Sequence, residues 1–290
     1  MRDSFFETAP AKINLALHVT GRRADGYHDL ESLVVFAGVA DELQARAVSG
    51  DDSLTLNGPF AEALTTGQSN LVFKAITAFR ARWPDAISHG IAIELTKNLP
   101  VAAGIGGGSA DAAAALRLLA SLSVHEIDPA ALSAIAASLG ADVPVCLLSS
   151  ACIAAGVGEV VRPLPRFPAC HVVLVNPLVP IATADIFRRL RQRNNAALPA
   201  FDAPPEHISL LALWLEQTRN DLEEAAIETA PVIGEIIGKL GSTRGCVAAR
   251  MSGSGATVFG LYGSSAEAHQ AAHDIREIWP DFWVAAAPVQ

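Results

Sequence analysis

Positive charge, paired cysteines, aromatic rings and long apolar runs are what this sequence has least of, and each shortage excludes something. Its 21 Lys and Arg stand against 30 Asp and Glu, a formal net charge of −9. A chain with that balance has no long-range attraction for nucleic acid or an anionic lipid surface, so neither is expected as a partner. The four cysteines, Cys146, Cys152, Cys170 and Cys246, form no Cys-x-x-Cys pair and have no histidine at metal-binding spacing. They are expected as reduced, mostly buried thiols, and the sequence leaves any metal ligand unknown. The N-terminal stretch carries Asp3 and Glu7 and lacks an apolar core followed by a small-residue cleavage site, so it does not read as a secretory signal. The longest strongly apolar run, residues 143–158, is interrupted by Pro144, Ser149, Ser150 and two glycines, too short and broken to cross a bilayer. A cytoplasmic chain is expected. Aromatics make up 6% of a sequence that is 51% hydrophobic. Alanine supplies much of the difference, which points to helix–sheet packing through small side chains. At 290 residues the chain fits one large or two medium domains, and a monomer or a homodimer stays open.

What is present begins with alternation. Ile13, Leu15, Leu17 and Val19 fall on one face of residues 12–20, and Lys12, Asn14, Ala16, His18 and Thr20 on the other. This predicts a half-buried strand with Lys12 and Asn14 side by side on its polar face. Residues 22–26 read as a polar turn and 33–36 as a short apolar strand. The spacing of Leu71, Ala75, Ala78 and Phe79 predicts a helix over 70–83 that ends before Pro84. Ile91, Ile93 and Leu95 alternate into a strand that runs out at Asn98-Leu99-Pro100. After a glycine loop, residues 110–122 form a helix with Ala113, Leu116 and Ala120 as a packing face. A further helix is capped by Asp128, has Pro129 at its first position and stops at Gly140. This leaves Asp142 in a loop ahead of a strand begun by Val143-Pro144-Val145. Three prolines between 162 and 168 predict a boundary, with domains 1–163 and 164–290. The second half reads as strand 171–175, helix 184–192, a loose stretch 194–205, helices 207–217 and 222–240, strand 246–251, a glycine turn 252–255, strand 257–262, helix 266–278 and strand 282–287. That is an α+β arrangement.

The strongest local signal lies between the strand and the helix: Pro100, Val101, Ala102, Ala103, Gly104, Ile105, Gly106, Gly107, Gly108 and Ser109. Four glycines in five residues let backbone N–H groups turn inward unobstructed, and the following helix adds partial positive charge at its N-terminus. This is a candidate phosphate cradle; the bland alternative is a tight strand-to-helix turn. It is not a Walker A loop, because Gly108 is followed by Ser109-Ala110 and not by Lys-Ser/Thr. A dinucleotide fingerprint fails too, since Ser109 stands where a third glycine belongs.

The loop resembles the ATP-binding motif of the GHMP kinase family through Pro100, Gly104-Ile105-Gly106 and Ser109. Residues 9–15 (Ala-Pro-Ala-Lys-Ile-Asn-Leu), 23–28 (Arg-Ala-Asp-Gly-Tyr-His) and 139–144 (Leu-Gly-Ala-Asp-Val-Pro) are similar to the branch whose acceptor is a cytidine-diphosphate-linked methylerythritol. Residues 220–223 (Asn-Asp-Leu-Glu) and 252–256 (Ser-Gly-Ser-Gly-Ala) resemble its C-terminal motifs. The resemblance implies the GHMP kinase fold: an N-terminal ribosomal-S5-domain-2-like domain and a C-terminal ferredoxin-like domain. It also implies ATP and Mg2+ as cofactors. Asp142 matches the residue that accepts the substrate hydroxyl proton, and Lys12 the lysine that balances developing charge. A loose phosphoryl transition state needs little more than a positioned acceptor and countercharge. By the same resemblance Asn14 touches the substrate, Tyr27 and His28 recognise the cytosine, and Thr183 and Phe187 form the opposite wall, Phe187 sandwiching the base against Tyr27. The sequence departs from the pattern at Ala110, where relatives often have a second serine, mildly at Ala103 and Ile105, and at Val34, where relatives often have an aromatic. A homoserine- or mevalonate-type kinase, or a non-catalytic nucleotide sensor, stays open as an alternative.

Overall fold

The computed structural model describes residues 4–201 and 205–290. In chain order the elements are β1 (Phe5–Arg22), β2 (His28–Val48), β3 (Ser53–Asn57), α1 (Leu71–Arg82), β4 (Gly90–Thr96), α2 (Gly107–Leu122), α3 (Pro129–Leu139), α4 (Val143–Leu148), β5 (Cys152–Gly156), β6 (Val160–Pro163) and β7 (His171–Asn176). They continue with α5 (Thr183–Arg189), α6 (Ile208–Glu216), α7 (Glu223–Thr229), α8 (Val232–Gly241), β8 (Cys246–Met251), β9 (Val258–Tyr262), α9 (Ser265–Ile278) and β10 (Trp283–Pro288). Contacts divide the chain into two compact units that are discontinuous in sequence. The first takes the chain up to Ala11, then Ala40–Val101 and Gly106–Ser149. The second takes Lys12–Val39, Ala102–Ile105 and Ser150–Gln290.

In the first unit, β3 runs parallel to β4, and β4 pairs antiparallel with the C-terminal part of β2, Glu42 opposite Thr96 through Val48 opposite Gly90. Ile91, Ile93 and Leu95 of β4 are buried, as alternation predicts. Helix α1 starts at Asn70, whose side chain accepts the Val72 N–H, and buries Val72, Ala75, Ile76 and Phe79. Helix α3 has its Asp128 cap accepting from the Ala130 and Ala131 N–H groups, with Pro129 behind it. Helix α2 is buried on almost every side, Ala110 through Leu116 together with Leu118 and Leu119. Small alanine side chains permit that packing.

In the second unit, the strands order β10-β7-β9-β8, all antiparallel. Taken in sequence this is the 4-1-3-2 order of a ferredoxin-like sheet. Its apolar face buries Val173, Val175, Val258 and Tyr262 with Ile233, Ile236 and Leu240 of α8 and Ala268, Ala272 and Ile275 of α9. The N-terminal part of β2 pairs with β5, and β5 with β6.

Four expectations are corrected. Residues 12–20 are not half-buried: β1 is buried without interruption from Ala9 to Val19. Its polar face is tolerated inside because most of its groups, Asn14 Oδ1 excepted, find partners. Asn14 Nδ2 donates to Ser32 Oγ (2.7 Å) and Ser32 Oγ to the Ala16 carbonyl (2.7 Å). The strand expected at 33–36 is part of a 21-residue strand, His28–Val48, which continues through polar and charged residues on both sides of the apolar run. Residues 143–148 are the helix α4 and not a strand. The segment is apolar all round, so periodicity cannot separate the two forms, and Pro144 suits a first helical turn. The helix expected over 222–240 breaks between α7 and α8 at Ala230-Pro231, where proline lacks the N–H needed to continue. The loose stretch 194–205 carries no helix or strand where described; its residues 202–204 lie outside the described residues.

Candidate active site

In the second unit the loop residues Ala102–Ile105 are gripped from two sides by backbone. The Lys12 N–H donates to the Ile105 carbonyl at 2.9 Å, and the Thr257 N–H to the Ala103 carbonyl at 3.1 Å. Ser252 links the two sides. Its hydroxyl accepts from the Asn14 N–H and donates to the Gly104 carbonyl, both at 3.1 Å. The glycine turn at 252–255 thereby acquires its reason. A Cβ on Gly104 would stand 2.6 Å from the Gly255 and Ser252 carbonyl oxygens, so two backbones approach here as only glycine allows. Ala102 (φ 54°), Gly104 (φ 74°) and Gly106 (φ 63°) are left-handed at every second position. Left-handed residues in alternation are the backbone pattern in which successive N–H groups can turn toward one side.

Asn220 holds the turn from beneath. Its Nδ2 donates to the Met251 and Gly253 carbonyls at 2.9 and 2.8 Å, and its Oδ1 accepts from the Leu222 N–H. Asp221 accepts from the Val19 N–H (2.7 Å), and Glu223 from the Met251 N–H (2.8 Å). The Asn-Asp-Leu-Glu motif is therefore a scaffold that ties β1 to the glycine turn.

Lys12 and Asn14 are both buried, 5% and 4% exposed, which excludes a solvated strand face. Asn14 Oδ1 is enclosed without a hydrogen-bond partner. Burial pushes the neighbouring Cys152 thiol up to about 11, with the Lys12 charge opposing. That thiol is inert at neutral pH.

The expected acceptor residues also lie in this unit. Tyr27 closes a turn in which its N–H donates to Asp25 Oδ1 (3.0 Å), and its side chain is 63% exposed. Phe187, on α5, stacks on His28 with ring centroids 5.0 Å apart and planes 24° off parallel. Phe187 thus packs on the ring of His28, the neighbour of Tyr27 in sequence. Burial lowers the His28 pKa, and the charges of Arg22 and Arg193 lower it further, so the imidazole is neutral. His28 Nε2 and Arg193 Nε are buried without partners. Buried polar atoms rarely remain unsatisfied, which sets these two apart from their neighbours. Thr183 Oγ1 lies 2.8 Å from Ser254 Oγ, which joins this wall to the glycine turn.

Pro100, Val101, and Gly106 to Ser109 belong to the first unit, where α2 begins at Gly107. Gly106 is the left-handed cap of α2. Asp142 is the N-cap residue of α4, half-buried, and its side chain does not cap its own helix. Among the described residues no three His, Cys, Asp or Glu side chains gather as a metal site, and no helix is long and apolar enough to cross a membrane.

The sequence matches the family models "GHMP kinases N terminal domain" over residues 70–158 and "GHMP kinases C terminal" over residues 197–281. The 4-diphosphocytidyl-2-C-methyl-D-erythritol kinase of Bradyrhizobium diazoefficiens is 49% identical over 98% of this chain and 97% of its own length. The chain belongs to the 4-diphosphocytidyl-2-C-methyl-D-erythritol kinase family. Its relative from Mesorhizobium japonicum is 47% identical over 96% of this chain and 93% of its own length. A crystal structure of 4-(cytidine 5'-diphospho)-2C-methyl-D-erythritol kinase matches with a TM-score of 0.80 at 33% identity, over 98% of this chain and 99% of that one. The GHMP kinase fold expected from the motifs is therefore the fold of this chain, and ATP is the family's phosphoryl donor.

Within this kinase family, sequence reasoning missed Arg193, Asn220's role beneath the turn, and a buried cluster of Asp41, Lys97 and Asp111. Arg193 sits in a stretch without periodicity. The other groups lie far apart in sequence, and only tertiary contacts join them.

Proposed function

We propose that this chain transfers the γ-phosphoryl group of ATP to the 2-hydroxyl of 4-diphosphocytidyl-2-C-methyl-D-erythritol, giving the 2-phosphate and ADP, in the cytoplasmic, non-mevalonate route to isoprenoid precursors. The observation that carries the reading is the Lys12 N–H bonded to the Ile105 carbonyl. It sets the strand bearing Lys12 and Asn14 directly against the glycine cradle. We place the domain boundary at 163/164, and the two family segments fall on either side of it.

In this reading residues 100–109 receive the triphosphate through backbone N–H groups and the start of α2. Asp142 takes the proton of the attacking hydroxyl, and the Lys12 ammonium balances charge that develops on the transferring group. Asn14 offers its unpartnered Oδ1 to the acceptor. His28 offers Nε2 to the base edge, with Phe187 stacking on the base, Tyr27 closing over it and Thr183 completing the wall. Magnesium neutralises the β- and γ-phosphates. No carboxylate cluster forms a cage among the described residues. Ser109, the hydroxyl at the start of α2, is the residue that would help hold the ion beside phosphate oxygens and water, and the ion would supply countercharge to the phosphates.

A homoserine or mevalonate acceptor would call for an arginine clamp on its carboxylate in place of Tyr27-His28. A nucleotide sensor could dispense with Lys12 or Asp142, and both are present. The test is coupled ADP release with the cytidine-linked acceptor, its phosphate-free and cytidine-free analogues, homoserine and mevalonate. Turnover should require the cytidine. Faster turnover of either acid, or ATP binding without ADP release on any acceptor, would remove the assignment.

A further inference from the structure

Beneath the loop, in the first unit, lies a cluster that none of the roles above uses. Lys97, one residue past β4, is 1% exposed, and its Nζ donates to Asp41 Oδ2 at 2.5 Å and to Asp111 Oδ2 at 2.6 Å. Asp41, on β2, is fully buried, and its Oδ1 accepts the N–H groups of Asn98 (2.6 Å) and Leu99 (2.8 Å), the two residues leading into Pro100. Asp111 is on α2, one turn past its start. The cluster thus grips the chain on both sides of the glycine loop, and Lys97 is the bridge. It also passes close under the loop's end, since a Cβ on Gly107 would stand 3.1 Å from Lys97 Nζ.

The two carboxylates are not equivalent. Asp41 has both oxygens bonded, whereas Asp111 Oδ1 is buried with no partner. Burial would lower the Lys97 ammonium, but the two carboxylates outweigh it and raise it. Burial pushes the Asp111 carboxyl up to about 8, with Lys97 opposing and Asp41 adding.

We propose that Lys97, with Asp41 and Asp111, is the positioning device that fixes the span of the glycine loop for nucleotide. It acts on ATP affinity through backbone and takes no part in phosphoryl transfer. The proposal rests on residues 100–109 being the nucleotide site. The experiment measures kcat and both KM values for Lys97→Met, Asp111→Ala and Asp111→Asn, with far-UV circular dichroism for folding and Gly108→Asp as the probe of the loop itself. Gly108 is exposed on the first turn of α2, where a carboxylate favours the helix and repels a triphosphate.

Lys97→Met and Asp111→Ala should raise the KM for ATP by about tenfold or more, the loss expected for a hydrogen bond to a charged group. kcat and the acceptor KM should stay within about threefold. Asp111→Asn, which keeps an oxygen toward Lys97, should stay within about threefold throughout. If Lys97→Met does not fold, Asp111→Ala decides alone, because it leaves Asp41–Lys97 and the Asn98–Leu99 clamp in place and adds a strong helix former. A wild-type ATP KM in folded Asp111→Ala, a fall in kcat alone, or Asp111→Asn as impaired as Asp111→Ala would overturn the proposal. If Gly108→Asp raises the ATP KM while Asp111→Ala does not, only the positioning role falls. If Gly108→Asp changes nothing, the nucleotide reading falls with it.

Discussion

Gly104→Ala and Gly108→Ala are the same substitution four residues apart, and the structure predicts opposite results. At Gly104 φ is +74°, a left-handed conformation that costs an alanine about 1–2 kcal/mol. Its Cβ would also meet the Gly255 and Ser252 carbonyl oxygens at 2.6 Å and the Gly255 nitrogen at 2.8 Å. All three are backbone atoms, so no side chain can swing aside and the loop or the turn must move. Overpacking of this kind costs about 1–3 kcal/mol. The sum is a loss of about 2–5 kcal/mol, and the displacement would strain the Ser252 hydroxyl bond to Gly104 and the Thr257 bond to Ala103. Gly108 meets only Leu71 Cδ1, at an ordinary 3.6 Å, inside a helix. Alanine there should stabilise by about 0.5–1 kcal/mol. Urea denaturation of the two variants beside wild type measures the difference. If both fall within about 0.5 kcal/mol of wild type, the close backbone approach at Gly104 is not real, and neither is the account of the 252–255 turn.

Asp142→Asn should retain the fold and the KM for ATP but lower kcat about 100-fold or more, as loss of a general base does; a near-normal rate would remove Asp142 from that role. Phe187→Ala should raise the KM for the cytidine-linked acceptor by about tenfold, within the range of one lost base stack, and leave the ATP KM unchanged. A change in the ATP KM instead would misplace Phe187. His18 donates from Nδ1 to the Ala196 carbonyl and accepts the Arg219 N–H at Nε2, so its ring is neutral; burial, chiefly, lowers its pKa. Acidification below the ordinary 6.5 then protonates the unfolded chain before the folded one, and stability falls as pH drops. His18→Gln should flatten that decline in denaturation curves taken between pH 7 and 5; an unchanged slope would clear His18 of it.

Local rules made much of this protein legible in one dimension. Asn70 and Asp128 cap α1 and α3 through their own side chains, Pro84 and Gly140 lie just past their ends, and Ile91, Ile93 and Leu95 alternate into β4. Each needs only neighbours in sequence. The glycine loop and the motifs around Lys12, Tyr27 and Asp142 were legible for the same reason, since each keeps its chemistry within a few residues. Residues 143–158 were not, because an apolar run buried on every side carries no period by which α4 could be told from a strand. The burial of β1 on its polar face was hidden too. It depends on Ser32, Ala196 and Arg219, which supply partners from elsewhere in the chain.

Sequence alone determined which backbone could cradle an anion, which residues could transfer a proton, and to which kinases the chain is related. Tertiary structure decided what surrounds the glycine loop: Ser252 and Gly255 against Gly104, and Lys97 between Asp41 and Asp111. Those partners are 14 to 151 positions apart, and a hydrogen bond between such groups exists only once the chain has closed on itself.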